Sequence, residues 1–560
     1  MTKLSVAPGT GRRGSRVSTD SDTLALLGKK QTLKRRFGFW SLFAFAVCEL
    51  ITWETVLALF SQGFNNGGPA ALVYGFLIAW LSTLSVYICI SELASMAPIA
   101  CGQYFWVYML APAKYKKISS YMIGWLTSLA WVATVATESL FAGTMIQGLL
   151  ILNYPNYVST EWQGTLLTWL VIVVNVSINT LIPALLPKFQ VAMMILHLAG
   201  FIAIMAALLK TSDIGSAASV FTSTLNTGGW PTQGLSYCVG FLGNVATFVG
   251  ADASVHMAEE TSNANINIPR AIVAGMIVNG LIGFGMMITI LFCLGDPASV
   301  LATKTAFPFM QIFYNSVKNQ SGAIAMGAIV LVLTWACANG ITTTASRMTW
   351  SFARDKGMPG HRHLSRVTNN TRIPVWAVGF VAILAALLAL IYIGSPTAFN
   401  DVISLTITGF YGSYLVPCAL LLYHRVKGNI APYQGMLEES EPEDLPIGDN
   451  EKVVTEAVPM AAQDFSMRLI WGPWKIPGIL GIINNAYACT YMVFVIFWSV
   501  WPPETPVTAN TMNYSVVVTG GVLIFSVIWY FIAGRREYRG PILEEGAVDV
   551  ARRVGSIVAV

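Results

Sequence analysis

Long apolar runs separated by short polar segments fill most of the chain, and twelve of them come close to or exceed the roughly 20 residues with which a helix crosses a hydrocarbon core. They run Phe39 to Gln62, Ala70 to Met96, Tyr121 to Leu150, Gly164 to Leu186, Phe189 to Leu209, Ser236 to Met257, Ala271 to Leu294, Gly322 to Phe352, Val375 to Ile393, Phe399 to Tyr423, Pro477 to Val500 and Tyr514 to Ala533. The pattern predicts an all-α integral membrane protein of twelve transmembrane helices, with both termini on one side. Five segments follow: a disordered tail over 1–36, ten helices over 37–424, a loop over 425–476, the last two helices over 477–534, and a tail over 535–560. Within the loop, Glu438 to Glu456 is acidic and holds several prolines, so it has too little apolar surface to fold.

Composition strengthens this picture. Only 11% of the residues are charged and 55% are hydrophobic, whereas a soluble protein carries roughly 25% charged residues. The charges are also placed unevenly: all of the 33 Lys and Arg except Lys210, Lys304 and Lys318 fall on the side of the termini. By the positive-inside rule that side is cytosolic, with the plasma membrane as the expected location. The net charge of +5 therefore implies contact with membrane lipids and no nucleic acid. The N-terminus lacks the short apolar core of a signal peptide. Asn319, in the sequence Asn-Gln-Ser between spans seven and eight, falls on the outer side and is the expected glycosylation site. Asn513 matches too but abuts the last span.

Several chemistries are disfavoured. Eight cysteines are scattered, with no CxxC pair and no metal-like spacing, so no metal is expected. No GxxxxGK[ST], GxSxG or HExxH is present, which leaves no expected cofactor and argues against an enzyme.

The polar groups inside the spans carry the functional signal. Span one contains Cys48-Glu49-Leu50-Ile51-Thr52-Trp53-Glu54-Thr55, with two carboxylates in an apolar helix, each costing at least ~2.5 to 3.5 kcal/mol at membrane depth. One or both line a solute path, or one is a hydrogen-bonded packing residue. Span six holds Gly243, Phe248, Gly250 and Asp252. The two glycines weaken the helix, and broken helices in a transporter mark its solute site. Asp252 either lines that site or caps the second half-helix. Glu259 and Glu260 are expected at the cytosolic mouth, paired with basic loops. His197 in span five is either a proton relay or a structural hydrogen-bonding group. Asn339, in the polar run Thr334 to Thr344 of span eight, faces either a solute path or a helix interface.

Four stretches together resemble the amino acid, polyamine and organocation superfamily, and within it the fungal amino acid/choline transporter branch that includes GABA and choline permeases. They are Asn66 to Pro69; Ser91 to Pro98 with Gly102 to Trp106; Asp252 to Glu260 with Pro269-Arg270; and Ser351 to Pro359. A further match over Pro506 to Tyr514 extends the likeness to the last span. The resemblance implies a fold of five helices repeated in inverted form, plus two peripheral helices, with spans one and six unwound midway around the solute. By position it transfers solute-binding roles to Thr52, Trp53, Glu54 and Thr55, and to Phe248, Gly250 and Asp252. His197 falls where some bacterial members keep a lysine in place of a coupling sodium. Thr-Trp-Glu-Thr replaces the glycine-rich turn that cradles a carboxylate in many relatives, and Cys101-Gly102 replaces the usual Gly-Gly. The first change favours a cationic amine, on which Trp53 could stack. The expectation is a permease that imports choline, GABA, a polyamine or an amino acid with a co-transported proton carried by Asp252, Glu54 or His197. An exporter, a permease serving a specialised pathway and a nutrient receptor that moves nothing remain open alternatives.

Overall fold

The computed structural model describes residues 20, 24, 27–154, 156–433, 469–509 and 511–542, with backbone alone at 396–400. The acidic segment Glu438 to Glu456 lies outside the described residues. Contacts divide the chain into two units. One comprises Met1–Gln31, Tyr433–Phe465 and Leu543–Val560; in it Leu27 N and Lys29 N both donate to Leu24 O. The other, Thr32–Pro432 with Ser466–Ile542, holds every helix described below.

Eleven helices among the described residues are long and apolar enough to cross a membrane. Span one is two helices, α1 (Phe39–Leu50) and α2 (Thr52–Ala58), followed by the short α3 (Phe60–Asn65). Spans two to five are α4 (Gly68–Met96), α6 (Lys116–Asn153), α7 (Glu161–Leu181) and α8 (Leu186–Thr211), with α5 (Gln103–Leu110) between the first two. The sixth span is not one helix: α9 (Gln233–Ala246) stops, and α10 (Ala253–His256) resumes after six residues without helix. That break is why eleven continuous spans stand where twelve apolar runs were read. The rest are α11 (Ala264–Phe292), α12 (Gln320–Arg354), α13 (Val375–Ala389), α14 (Pro396–Lys427), α15 (Gly478–Trp498) and α16 (Ser515–Trp529).

Local sequence sets these boundaries. Pro69 opens α4, where a missing N–H costs nothing. Asn319 caps α12, its Oδ1 accepting from Ser321 N and Gly322 N. Its side chain is otherwise exposed. Asn513 is buried, and its Nδ2 donates to Ser499 O and Trp501 O, so it cannot accept a glycan.

The core forms where α12 lies along α6, α11 along α4, and α14 between α6 and α15. Outward faces are apolar: Leu166, Leu170, Val173, Ile195 and Ile202 on α7 and α8 are exposed. Only 17% of the apolar window that contains α16 is buried, which makes this last span peripheral. Such surface would drive aggregation in water and fits a lipid solvent.

Residues 34–37 and 535–542 are held at the same end of the bundle. Arg36 N and Phe37 N donate to Glu260 O, and Arg36 Nη2 donates to Thr371 O. Tyr538 OH meets Ser120 Oγ at 2.6 Å, and Ile542 N donates to Asp355 Oδ1. The basic segment therefore has an ordered last stretch, because its backbone satisfies groups left open beyond α10.

Candidate functional site

Two breaks in helical backbone create the site. At the first, Ile51 adopts a left-handed conformation, φ 32° and ψ 48°, which is strained for a β-branched residue by about 1–3 kcal/mol. Asn279 of α11 satisfies the groups released there: its Oδ1 accepts from Thr52 N, and its Nδ2 donates to Val47 O. At the second, Gly250 sits at φ 107°, open to glycine alone. Tyr87 of α4 accepts at its hydroxyl from both Gly250 N and Ala251 N. Thr52 joins the breaks by donating from Oγ1 to Thr247 O. Gly243, expected to weaken the helix, lies within α9, where a Cβ would stand 3.0 Å from Gly63 N of α3. It permits close packing and does not break the helix.

Between the breaks lies a small cavity of about 40 Å³, room for waters but not for a solute without side-chain movement. Glu49, Ile51 and Thr55 line it from span one, Ala246 and Val249 from span six, and Thr137, Glu138 and Phe141 from α6. Glu49 is 2% exposed, and neither of its carboxylate oxygens has a hydrogen-bond partner among the described residues. Its Oε1 lies over Gly340 of α12, where a Cβ would overlap it. Glu138 Oε2 is likewise buried and unpartnered. Sequence reasoning overlooked Glu138, although it stands inside span three and meets the same test that singled out Glu49 and Glu54.

The other candidates surround this cavity without lining it, Thr55 excepted. Trp53 is fully buried, its ring 5.8 Å from His197 and 6.4 Å from Phe201, so it points away from any solute in the cavity. Glu54 Oε1 lies 2.6 Å from His197 Nδ1 with both side chains fully buried, a tight pair behind span one. Phe248 packs on Phe76 at 4.9 Å. Asn339 turns toward α7, accepting at its backbone oxygen from Asn179 Nδ2.

Asp252 stands at the N-cap position of α10 but makes no capping hydrogen bond. Its carboxylate accepts from Tyr414 OH at 2.5 Å and from Gln103 Nε2 at 2.6 Å, with His256 Nε2 3.7 Å away. It is thus a fully bonded group on the side of the cavity nearer the termini. Beyond it, Arg354 pairs with Glu259 at 2.6 Å and Arg347 with Glu260 at 2.8 Å. These arginines belong to α12 and not to loops. Glu92 pairs with Arg425 at 2.5 Å, and Tyr104 donates to Asp355. Motif residues Glu92, Tyr104, Glu259, Glu260 and Asp355 therefore form one layer at this end, whereas Asn66 of the first stretch lies at the opposite one.

The opposite end is open. A vestibule of about 250 Å³, lined by Gln62, Asn66, Asp401, Trp501 and Glu504 among others, shares Ile403 and Ile407 with the central cavity. The bundle is thus shut toward residues 34–37 and 535–542, and two isoleucines of α14 lie between its small centre and the vestibule.

A family model described as amino acid permease matches residues 37–522. A Macrophomina phaseolina protein described as an amino acid/polyamine transporter is 29% identical over 84% of this chain and 96% of its own. The choline transporter of Saccharomyces cerevisiae is 28% identical over 93% of this chain and 84% of its own. The amino-acid permease BAT1 of Arabidopsis thaliana is 26% identical over 92% and 95%. With its spans interrupted at the first and sixth positions and the family match running from the first span into the last, this chain belongs to the amino acid permease family.

Proposed function

We propose that this permease is a secondary transporter that imports a small amine-bearing solute, such as choline, GABA, a polyamine or an amino acid, together with a proton. The observation that carries the reading is the pair of helix breaks, at Ile51 and Gly250, around a small cavity that holds the unpartnered carboxylate of Glu49. A helix bundle gains nothing in stability from such an arrangement, since irregular backbone and a bare carboxylate both cost free energy at membrane depth. Alternating access gives it a purpose.

In this reading the end that carries the termini faces the cytosol, as the Lys and Arg distribution argues, and the vestibule faces outward at the plasma membrane. Solute enters past Ile403 and Ile407, and its ammonium group settles beside Glu49. The ion pairs Arg354–Glu259 and Arg347–Glu260 then part as the seal opens inward. The proton travels on the Glu54–His197 pair, which lies directly behind the strained turn and can couple its charge state to that turn's geometry. Asp252 holds the two arms of the seal together through Tyr414 and Gln103.

The test is uptake of labelled choline, GABA, putrescine and a mixed amino acid panel into proteoliposomes, with and without an inward proton gradient. Gradient-stimulated accumulation of at least one compound is expected. Facilitated movement that ignores the gradient would remove proton coupling from the account, and no flux in folded protein would remove transport.

A further inference from the structure

The groups that face the central cavity restrict the solute further than the permease reading does. Glu49 and Glu138 are the charged side chains that line it, and among the described residues no Lys, Arg or His does. Both carboxylates have oxygens that are buried without a hydrogen-bond partner, and Glu49 is almost wholly shielded from solvent. They come from different elements, span one and α6, so they converge on one space from two directions. A carboxylate left bare in a low-dielectric interior calls for a cation or a donor to complete it.

The approach to the cavity has the same sign. Asp401 and Glu504 are the charged residues of the vestibule lining, again with no cationic side chain among the described residues there. A low-dielectric mouth lined by one sign of charge concentrates ions of the opposite sign. Conversely, no described residue lining either space offers a cationic partner to a carboxylate. Of the backbone N–H groups at the two breaks, Thr52 N is bonded to Asn279, and Gly250 N and Ala251 N are bonded to Tyr87. His197, the nearest imidazole behind span one, is bonded to Glu54.

We infer that Glu49 and Glu138 together form an ammonium-binding site that selects an organic cation without a carboxylate, and that zwitterionic amino acids and GABA are excluded. The inference rests on the transport reading for its cavity but can be tested apart from it, because binding does not require flux. A solute carboxylate placed here would meet two acidic side chains and no cationic partner among the described residues, and specificity of this kind arises as much from the rejected competitor as from the favoured ligand. Glu138 thereby becomes a specificity-determining residue, and Ile51 and Thr55 supply the wall opposite.

The experiment is equilibrium binding of labelled choline and labelled putrescine to the purified full-length protein in detergent, with unlabelled GABA, leucine and glutamate as competitors. Uptake into proteoliposomes is run in parallel. Wild type is compared with Glu49→Gln, Glu138→Gln and the exposed control Glu161→Gln, each checked for folding by thermal unfolding. The expected result is that at least one cation binds, that the zwitterions fail to displace it at a hundredfold excess, and that each cavity variant weakens binding by about tenfold or more while the control does not. Cation binding with no uptake would uphold this site and reject transport. Displacement by GABA or leucine at concentrations comparable to the cation would overturn the inference. So would failure of both cations to bind, or unchanged cation affinity in both folded cavity variants.

Discussion

The residues that matter most are those whose environment leaves them incomplete or strained. Glu54 Oε1 and His197 Nδ1 pair at 2.6 Å, while Glu54 Oε2 and His197 Nε2 are buried without a partner among the described residues, so replacing either side chain leaves the other with no partner there. Glu54→Gln is expected to keep solute exchange between two loaded compartments and to lose the part of uptake that follows a proton gradient; equal losses in both assays would mean that the pair is structural. Gly340 is a different kind of test, because its missing side chain makes room for the Glu49 carboxylate, with Gln190 Nε2 also 2.9 Å from where a Cβ would stand. Gly340→Ala should push the carboxylate aside and weaken solute affinity by about tenfold with little change in thermal stability, measured by binding and melting of the same sample. At this scale the sequence was only partly legible. Glu49 and Glu54 stood out as charges in an apolar run, and so should Glu138 have done. Side-chain direction was not legible: Trp53 and Glu54 are neighbours of cavity residues yet face α8, since successive helical positions point about 100° apart. Asp252 drew notice for its depth, but its partners Tyr414 and Gln103 lie 162 and 149 residues away.

Among the elements, the two interrupted helices depend on groups supplied by their neighbours. Asn279 of α11 bonds both sides of the first break, and removing it leaves the buried Thr52 N–H without that acceptor, whereas Val47 O keeps Ile51 N. Asn279→Leu should destabilise the protein by about 1–3 kcal/mol, read as a lower melting temperature in detergent, and should reduce solute binding in the same preparation. If melting is unchanged, water replaces the amide and the break is less dependent on α11 than its hydrogen bonds imply. The twelve runs themselves were readable because each needs an unbroken apolar stretch, and period and length settle that. The break in span six was half readable: Gly250 marks it through its φ, whereas Gly243 serves packing against α3. The break at Ile51 could not be read from local chemistry, since no glycine or proline is there and an isoleucine rarely enters the left-handed region. Only the resemblance to a family pointed to it.

For the molecule as a whole, an open mouth at one end and a layered seal at the other describe one state of an alternating cycle. The ion pairs of α12 with Glu259 and Glu260 are the outermost layer of that seal, and removing one member of a buried pair costs roughly 3–5 kcal/mol, enough to reverse a conformational balance of a few kcal/mol. Arg354→Ala should therefore favour the state open toward the termini. A cysteine placed by Thr406→Cys, on the cavity wall, would become more reactive to a reagent added from that side; unchanged reactivity would locate the seal elsewhere. The family and its broken-helix plan were legible from motif residues because most of those residues build this seal, where distant segments must meet in fixed register, while Asn66 serves the opposite mouth. The cavity, assembled from span one, α6, span six, α12 and α14, has no such local signature. The most direct test of its role is a cryo-electron microscopy structure of the protein saturated with whichever cation binds best. Solute density between Glu49, Glu138 and Val249 is the predicted result. Density confined to the vestibule beside Glu504, or lying against Trp53 or Asp252 with the central cavity still closed, would contradict it.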